Sequence, residues 1–343
     1  MNYDPLVFVI ILNYNGWQNT IECLESLRRL KYPNYRIVVI DNGSTDGSIE
    51  KIKKWAAGNI RVSSKNFRDN YPVSDVKWIE YDRRIAERGG LRELEDEIEY
   101  LSSNRKIVLI RIGVNLGYAG GNNVGVKYAI MRGAKYLWLL NNDTVVDDDA
   151  LTEMIRFSGN KTNGIVGCKL LYYDRPNVIQ AAGGGRFYFW MGLSRHYGWL
   201  NRDDGRWNRI FRPHYVTGAS MLIKNLCFNE TGLFDETFFM YGEEVDWQLR
   251  AQRNGWGKIY CPTAIVYHKE GGSIGNKNPF TDFYATRANI LLCRKYTPWT
   301  LPAAIFFNIL RAIRRLFSGH WKLAVVIIWG IVAGVKSRSQ VRG

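Results

Sequence analysis

The chain has 343 residues, room for one large domain or two smaller ones, and its 46% hydrophobic and 23% charged residues are ordinary for a globular protein. The formal charge of +15 is not ordinary: ten Lys or Arg and no Asp or Glu follow Asp282, a distribution that favours an anionic surface. Five scattered cysteines, none in a CxxC pair, argue against a disulfide framework or a zinc site and fit a reducing compartment.

The first half alternates strand-like and helix-like stretches. "LVFVIIL" (6–12) opens the chain with no basic leader or cleavage site before it, so no secretory signal is expected. Ile21, Leu24, Leu27 and Leu30 follow at helical spacing. "YRIVVID" (35–41) precedes a second helical stretch through Ile49, Ile52 and Trp55. "KIVLIRI" (106–112) leads through a Gly-rich turn into a helix to about Arg132, and "KYLWLL" (135–140) runs into "NNDT". Apolar runs without alternation read as parallel strands buried on both faces. The expected fold is therefore α/β: one open, mixed, mostly parallel sheet flanked by helices, Rossmann-like in plan. Residues 59–105 are charge-rich and helical in period, split by Gly89-Gly90, and read as a helical hairpin inserted on the surface rather than as part of the sheet. Further strands are expected in 164–173 and 215–223 around an aromatic-rich segment, 184–214. A helix near 243–254 and a pair of strands near 258–268 follow.

From about Phe283 the composition changes. Charge-free stretches there are shorter than the roughly 20 residues a spanning helix needs. Apolar faces alternate with Arg311, Arg314, Arg315 and Lys322, the composition of helices lying among lipid headgroups. The plainer alternative is a pair of helices packed on the main domain. Aliphatic residues outnumber stacking and amide residues in this tail, so nucleic acid is not expected as a partner. The chain is thus expected to divide into residues 1–285, a main domain carrying the insertion, and 286–343, a basic amphipathic helical segment expected to associate with membrane.

In an open α/β sheet, ligands bind at the carboxyl ends of the strands. Here those ends are Asn13-Tyr14-Asn15, then Asp41-Asn42-Gly43-Ser44, then "GVNLGYAGGNNVG" (113–125), then Asn141-Asn142-Asp143-Thr144. Each alone could be helix capping. Four on one rim describe a cleft lined by amides, carboxylates and glycine backbone.

"ILNYNG", "VVIDNGSTDGS", "NLGYAGGNN", "LWLLNNDT" and "FDETFFMYGEEVDWQLRAQRNGW" resemble, in order, the motifs of family 2 glycosyltransferases, most closely the rhamnosyltransferase-like branch with the glycosyltransferase-A fold. The resemblance covers about residues 5–295 apart from 59–105. It implies a nucleotide-diphosphate sugar donor, held by Asn13, Tyr14, Asn15, Asp41, Asn42 and Ser44 around the base and by Asn115, Gly117, Gly120, Gly121, Asn122, Asn142 and Asp143. The glycines would let backbone approach base and ribose, and the helix start there would favour phosphate. "NND" stands where the family has aspartate-x-aspartate; Asn141 replaces the first carboxylate and Asp143 remains. An Mg²⁺ or Mn²⁺ would be held by Asp143 with diphosphate oxygens, and His268, at a position where the family often has a histidine, would be a further ligand or a diphosphate contact.

In "YGEEVDW" the resemblance implies a base that takes the acceptor hydroxyl's proton. Glu244, where the family usually has Asp, is favoured, with Asp246 in reserve. Trp190, in the aromatic segment, and Gly218 and Ala219, in "VTGASMLI", are expected at the acceptor, a glycan or a lipid-linked glycan. "QRNGW" lacks the arginine of processive synthases, so one sugar is expected per transfer. The expected place is the cytoplasmic face of the cell membrane, peripherally bound through an anionic lipid surface. Two rivals remain. An inactive membrane-attached binder of nucleotide sugars or glycans would account for Asn141 and Glu244. A nicotinamide-dependent oxidoreductase would need a G-x-G-x-x-G turn after the first strand, and none is present.

Overall fold

A computed structural model describes residues 4–65, 75–159, 161–269 and 278–337. In chain order the first half comprises β1 (Val7–Asn13), α1 (Trp17–Leu27), β2 (Tyr35–Asp41), α2 (Ser48–Ala56), β3 (Lys77–Asp82), α3 (Arg83–Ala86), α4 (Arg92–Glu99), β4 (Lys106–Arg111), α5 (Gly117–Met131) and β5 (Tyr136–Asn141). Then come β6 (Thr144–Val146), α6 (Ala150–Phe157), β7 (Ile165–Tyr172), β8 (Arg175–Ala182), β9 (Gly184–Tyr188), β10 (Leu193–His196), β11 (Tyr215–Val216) and β12 (Ser220–Lys224). The chain closes with α7 (Asn225–Thr231), α8 (Glu243–Arg253), β13 (Lys258–His268), α9 (Pro279–Tyr296), α10 (Leu301–Phe317) and α11 (Trp321–Lys336).

The main sheet runs β3-β4-β2-β1-β5-β12-β7-β13-β6, with β8 beside β7. Strands β3, β4, β2, β1 and β5 are parallel, and β12 and β6 run against their neighbours. The mixed, mostly parallel sheet expected from the apolar runs is present. Side chains of β1 alternate between two cores: Val7, Val9 and Ile11 face Leu24, Leu27, Ile52 and Trp55, whereas Phe8 and Ile10 face Val124 and Tyr128 of α5. α5 lies close enough to the sheet that a methyl on Gly125 would come 2.5 Å from the tip of Ile40.

The charge-rich insertion departs from the expected hairpin. Residues 77–82 form β3, paired in parallel with β4 at the edge of the sheet. Ile79 and Tyr81 point inward, Lys77 and Asp82 face water as suits an edge strand, and half-buried Glu80 pairs with Lys53 and Arg111. Behind β3, the Glu95 carboxylate is buried among the Tyr81 hydroxyl at 3.0 Å, the Tyr128 hydroxyl at 2.5 Å and Arg36 Nη1 at 2.7 Å. Residues 66–74 of the insertion lie outside the described part. The pair of strands expected near 258–268 is one strand whose register on β7 shifts between Cys261 and Ile265, where Pro262 cannot donate to the ladder.

β9, β10 and β11 make a small antiparallel sheet out of the aromatic segment. The C-terminal helices form their own core against it and against Val245 of α8. α11 closes onto α9 through Gly330 and Gly334, where added methyls would lie 2.8 Å from Phe283 O and 2.7 Å from Arg287 O. Among the described residues no helix is long and apolar enough to cross a membrane.

Candidate active site

Register decides what meets on the rim. Asn13 is paired with Asp41 across β1 and β2, and Leu12 with Asn141 across β1 and β5. Asn13 Nδ2 donates to Asp41 Oδ1 and Ser44 Oγ, both at 3.1 Å, and Ser44 N donates to Asp41 Oδ2 at 3.2 Å. Asn15, left-handed at φ 50°, takes the Thr45 N–H on its side-chain oxygen at 2.7 Å. Asn42 reaches across to Asn115 Oδ1 at 3.0 Å and accepts Leu116 N at 3.0 Å. The result is a preorganised polar nest with the exposed ring of Tyr14 at its edge. Asp41 keeps lone pairs free for a heterocyclic N–H.

The glycines after β4 have a packing task. A methyl on Gly121 would meet Leu12 at 2.4 Å, and one on Gly120 would meet Leu116 at 2.8 Å, so close packing of α5 by itself calls for glycine at both positions. Gly117 (φ 71°) lies under Phe239, whose carbonyl accepts Tyr118 N at 2.6 Å and Ala119 N at 3.4 Å. The first N–H groups of α5 are thereby met by the chain itself, that of Gly117 by Asn115 Oδ1 at 2.9 Å. Asn122 bonds back to Tyr118 O at 2.9 Å, within its own helix. Asn142 holds the start of α1 through Thr20 Oγ1 at 3.0 Å.

β13 ends beside β6 with His268 opposite Thr144, which brings the histidine to the acidic motif. Nε2 of His268 lies 3.1 Å from Asp143 Oδ1, and Nδ1 lies 2.7 Å from Gln180 Oε1. Adjacent ligands of an octahedral Mg²⁺ or Mn²⁺ at about 2.1 Å stand roughly 3.0 Å apart, so the pair fits two neighbouring positions of such a shell. Among the described residues no third His, Cys, Asp or Glu joins them, leaving the other positions to diphosphate and water.

The acidic helix α8 starts from a loop with Phe239 and Tyr241 at positive φ, strain of the kind that collects at functional sites. Burial pushes both the Glu243 and the Glu244 carboxyl above the ordinary value of 4.5, Glu243 well above it, with the Glu244 charge adding to its shift. One oxygen of each, Oε2, is buried without a hydrogen-bond partner. Burial raises Tyr118, Tyr215 and Tyr241 as well, and the Glu244 charge contributes at all three; Tyr241 also feels Asp143. Gln248, one turn after Glu244, clamps both backbone groups of Val216 at 2.8 and 2.7 Å, which fixes that face of α8 against β11.

Asp246 does not fit the reserve role as base. It is fully buried, and its carboxylate takes Arg250 Nε at 3.0 Å, Tyr296 OH at 2.8 Å and Lys295 Nζ at 2.7 Å. It ties α9 to α8. Gly218 O accepts the Tyr118 hydroxyl at 2.7 Å, and Ala219 O accepts Asn141 N at 3.0 Å, so both lie on the rim. Trp190 packs edge-on against Phe307 of α10, with centroids 5.1 Å apart, on the exposed side of the C-terminal helices. Sequence reasoning missed Gln180, Gln248 and the role of Tyr118, although Tyr118 stands inside a quoted motif.

The model of "Glycosyl transferase family 2" matches residues 8–72 and 90–249. The low-salt glycan biosynthesis hexosyltransferase Agl10 of Haloferax volcanii is 24% identical over 51% of this chain and 53% of its own. The N-acetylglucosaminyl-diphospho-decaprenol L-rhamnosyltransferase of Mycobacterium tuberculosis is 32% identical over 25% of this chain and 28% of its own. The chain thus spans about half or less of these two relatives' length. Among solved structures, a mannosyltransferase from Pyrobaculum calidifontis in complex with GDP-Man and Mn²⁺ superimposes with a TM-score of 0.55 at 14% identity, over 98% of this chain and 88% of that one. That likeness shows a shared fold.

Proposed function

Since the chain belongs to glycosyltransferase family 2, we propose that it moves a single sugar, with inversion, from a nucleotide-diphosphate sugar to a hydroxyl of a glycan or lipid-linked acceptor. The observation that carries the reading is Glu244: a carboxyl raised by burial, with an unpartnered oxygen, on a helix that Gln248 fixes against β11. The nest of Asn13, Asp41 and Ser44 would hold the base, with Tyr14 against its face. Glu244 would take the proton from the acceptor hydroxyl while that oxygen attacks the anomeric carbon and the bond to diphosphate breaks. A divalent cation held by Asp143 and His268 would supply Lewis-acid stabilisation of the departing charge. The raised Glu244 carboxyl must be ionised to act, so transfer should increase with pH through a value above 4.5.

The same reading puts the protein on the inner face of the cell membrane. Trp299, Phe306, Phe317, Trp321 and Trp329 are exposed on and around α10 and α11, with exposed Arg314 and Lys322 among them. An apolar face rimmed by cations matches an anionic lipid surface. Both sequence expectations for this segment therefore have support, since the helices pack on the domain and still keep a lipid-compatible face.

The test is Glu244→Gln. Donor binding should persist while transfer falls by about 10²–10⁴. Retention of most turnover would remove Glu244 as base, and the absence of both turnover and nucleotide affinity in the wild-type protein would favour the inactive-binder reading.

A further inference from the structure

Gln180 stands in β8, a strand whose pairing with β7 is irregular. Leu170 is opposite Ala181 and Leu171 is opposite Ile179, so Gln180 is the extra residue of a β-bulge. Bulges beside active sites re-aim a side chain. This one aims an amide, 5% exposed, at His268 from two strands away. A carbonyl oxygen only accepts, so the contact with Gln180 Oε1 calls for the proton on Nδ1 of His268, in competition with Asp143 Oδ1, another acceptor, which calls for it on Nε2.

We propose that Gln180 is a positioning residue for the cation site, fixing the tautomer of His268 so that Nε2 offers its lone pair beside Asp143. This rests on the metal-assisted reading above. With two protein ligands, the site depends on each being turned correctly before the cation arrives. An imidazole free to carry its proton on Nε2 would present a donor where a ligand is needed. A partner on the second nitrogen is what holds ligating histidines elsewhere, and its loss costs about 10–100-fold in metal affinity.

The experiment measures Mn²⁺ binding to the full chain by water-proton relaxation, with UDP, GDP or dTDP present, alongside the melting temperature without metal. Gln180→Leu should weaken Mn²⁺ about 10–100-fold, and Gln180→Glu, which still accepts from Nδ1, should stay within a few-fold of wild type. Gln180→Met replaces the Leu variant if that one does not fold. A purely structural role would lower the melting temperature and leave the affinity of the folded protein alone. Wild-type affinity in Gln180→Leu, or equal weakening in Gln180→Glu, would overturn the inference. If the wild type binds no Mn²⁺, or His268→Ala binds it equally well, the metal-assisted reading itself fails, and the inference with it.

Discussion

Replacing Asp246 with Ala separates a structural carboxylate from a catalytic one. The side chain is fully buried, and it meets Arg250 and Lys295, whose own side chains are 6% and 7% exposed. Breaking a buried pair by removing one partner costs about 3–5 kcal/mol, because the remaining charge stays desolvated. Two features pull the figure to the lower end. Lys295 keeps Asp235 at 3.2 Å, and Arg250 keeps the carbonyls of Thr231 and Leu233 at 2.8 and 2.7 Å. A loss of about 3 kcal/mol is expected. At about 2 °C per kcal/mol for a chain this large, the melting temperature should fall by about 6 °C. Thermal and urea unfolding measure it, with donor affinity determined well below the transition, where it should be unchanged. Wild-type stability combined with abolished transfer would refute the reasoning and return Asp246 to the catalytic role.

Glu243 gives a prediction in pH. Its carboxyl is raised in the folded state, so the stability linked to it is complete below 4.5 and is lost as pH rises through the folded value. Glu243→Gln should therefore stabilise the protein at pH 8 and change it little at pH 4, as urea unfolding at the two pH values will show; equal effects at both would contradict the buried assignment. Phe317→Glu with Trp329→Glu, both exposed, should leave the melting temperature within about 1 °C. The double variant should nevertheless lose flotation with vesicles containing anionic lipid, and retained flotation would remove the membrane face. Gly117→Ala should destabilise, since the backbone is left-handed there and the methyl would lie 2.2 Å from the Phe239 carbonyl. Unchanged unfolding would mean that this contact yields easily.

The rim was legible because β1, β2 and β5 are apolar runs that each stop on polar side chains, and parallel pairing puts Asn13 beside Asp41 with no further information needed. The glycines were not. A glycine that admits a ligand and one that admits a packed side chain are the same letter, and methyls added at Gly120 and Gly121 would meet Leu116 and Leu12. β3 was hidden by its charge, since an edge strand needs only Ile79 and Tyr81 on its inner side and reads otherwise like a surface helix. Gln180 left no trace, because a bulge changes where a side chain points without changing any pattern of apolar residues. The locked state of Asp246 depends on Lys295 and Tyr296, some fifty residues away in sequence, a distance at which helical spacing says nothing.

The most direct measurement of the central claim is a thermal-shift panel of UDP, GDP and dTDP and their sugars, each with and without Mn²⁺, with NAD alongside. A ligand at 100-fold its Kd adds about 2.7 kcal/mol, a few degrees in a chain of this size. The account predicts a Mn²⁺-dependent shift with one nucleotide, absent in Asp143→Ala. A folded wild-type protein that responds to none of them, or to NAD alone, would contradict it.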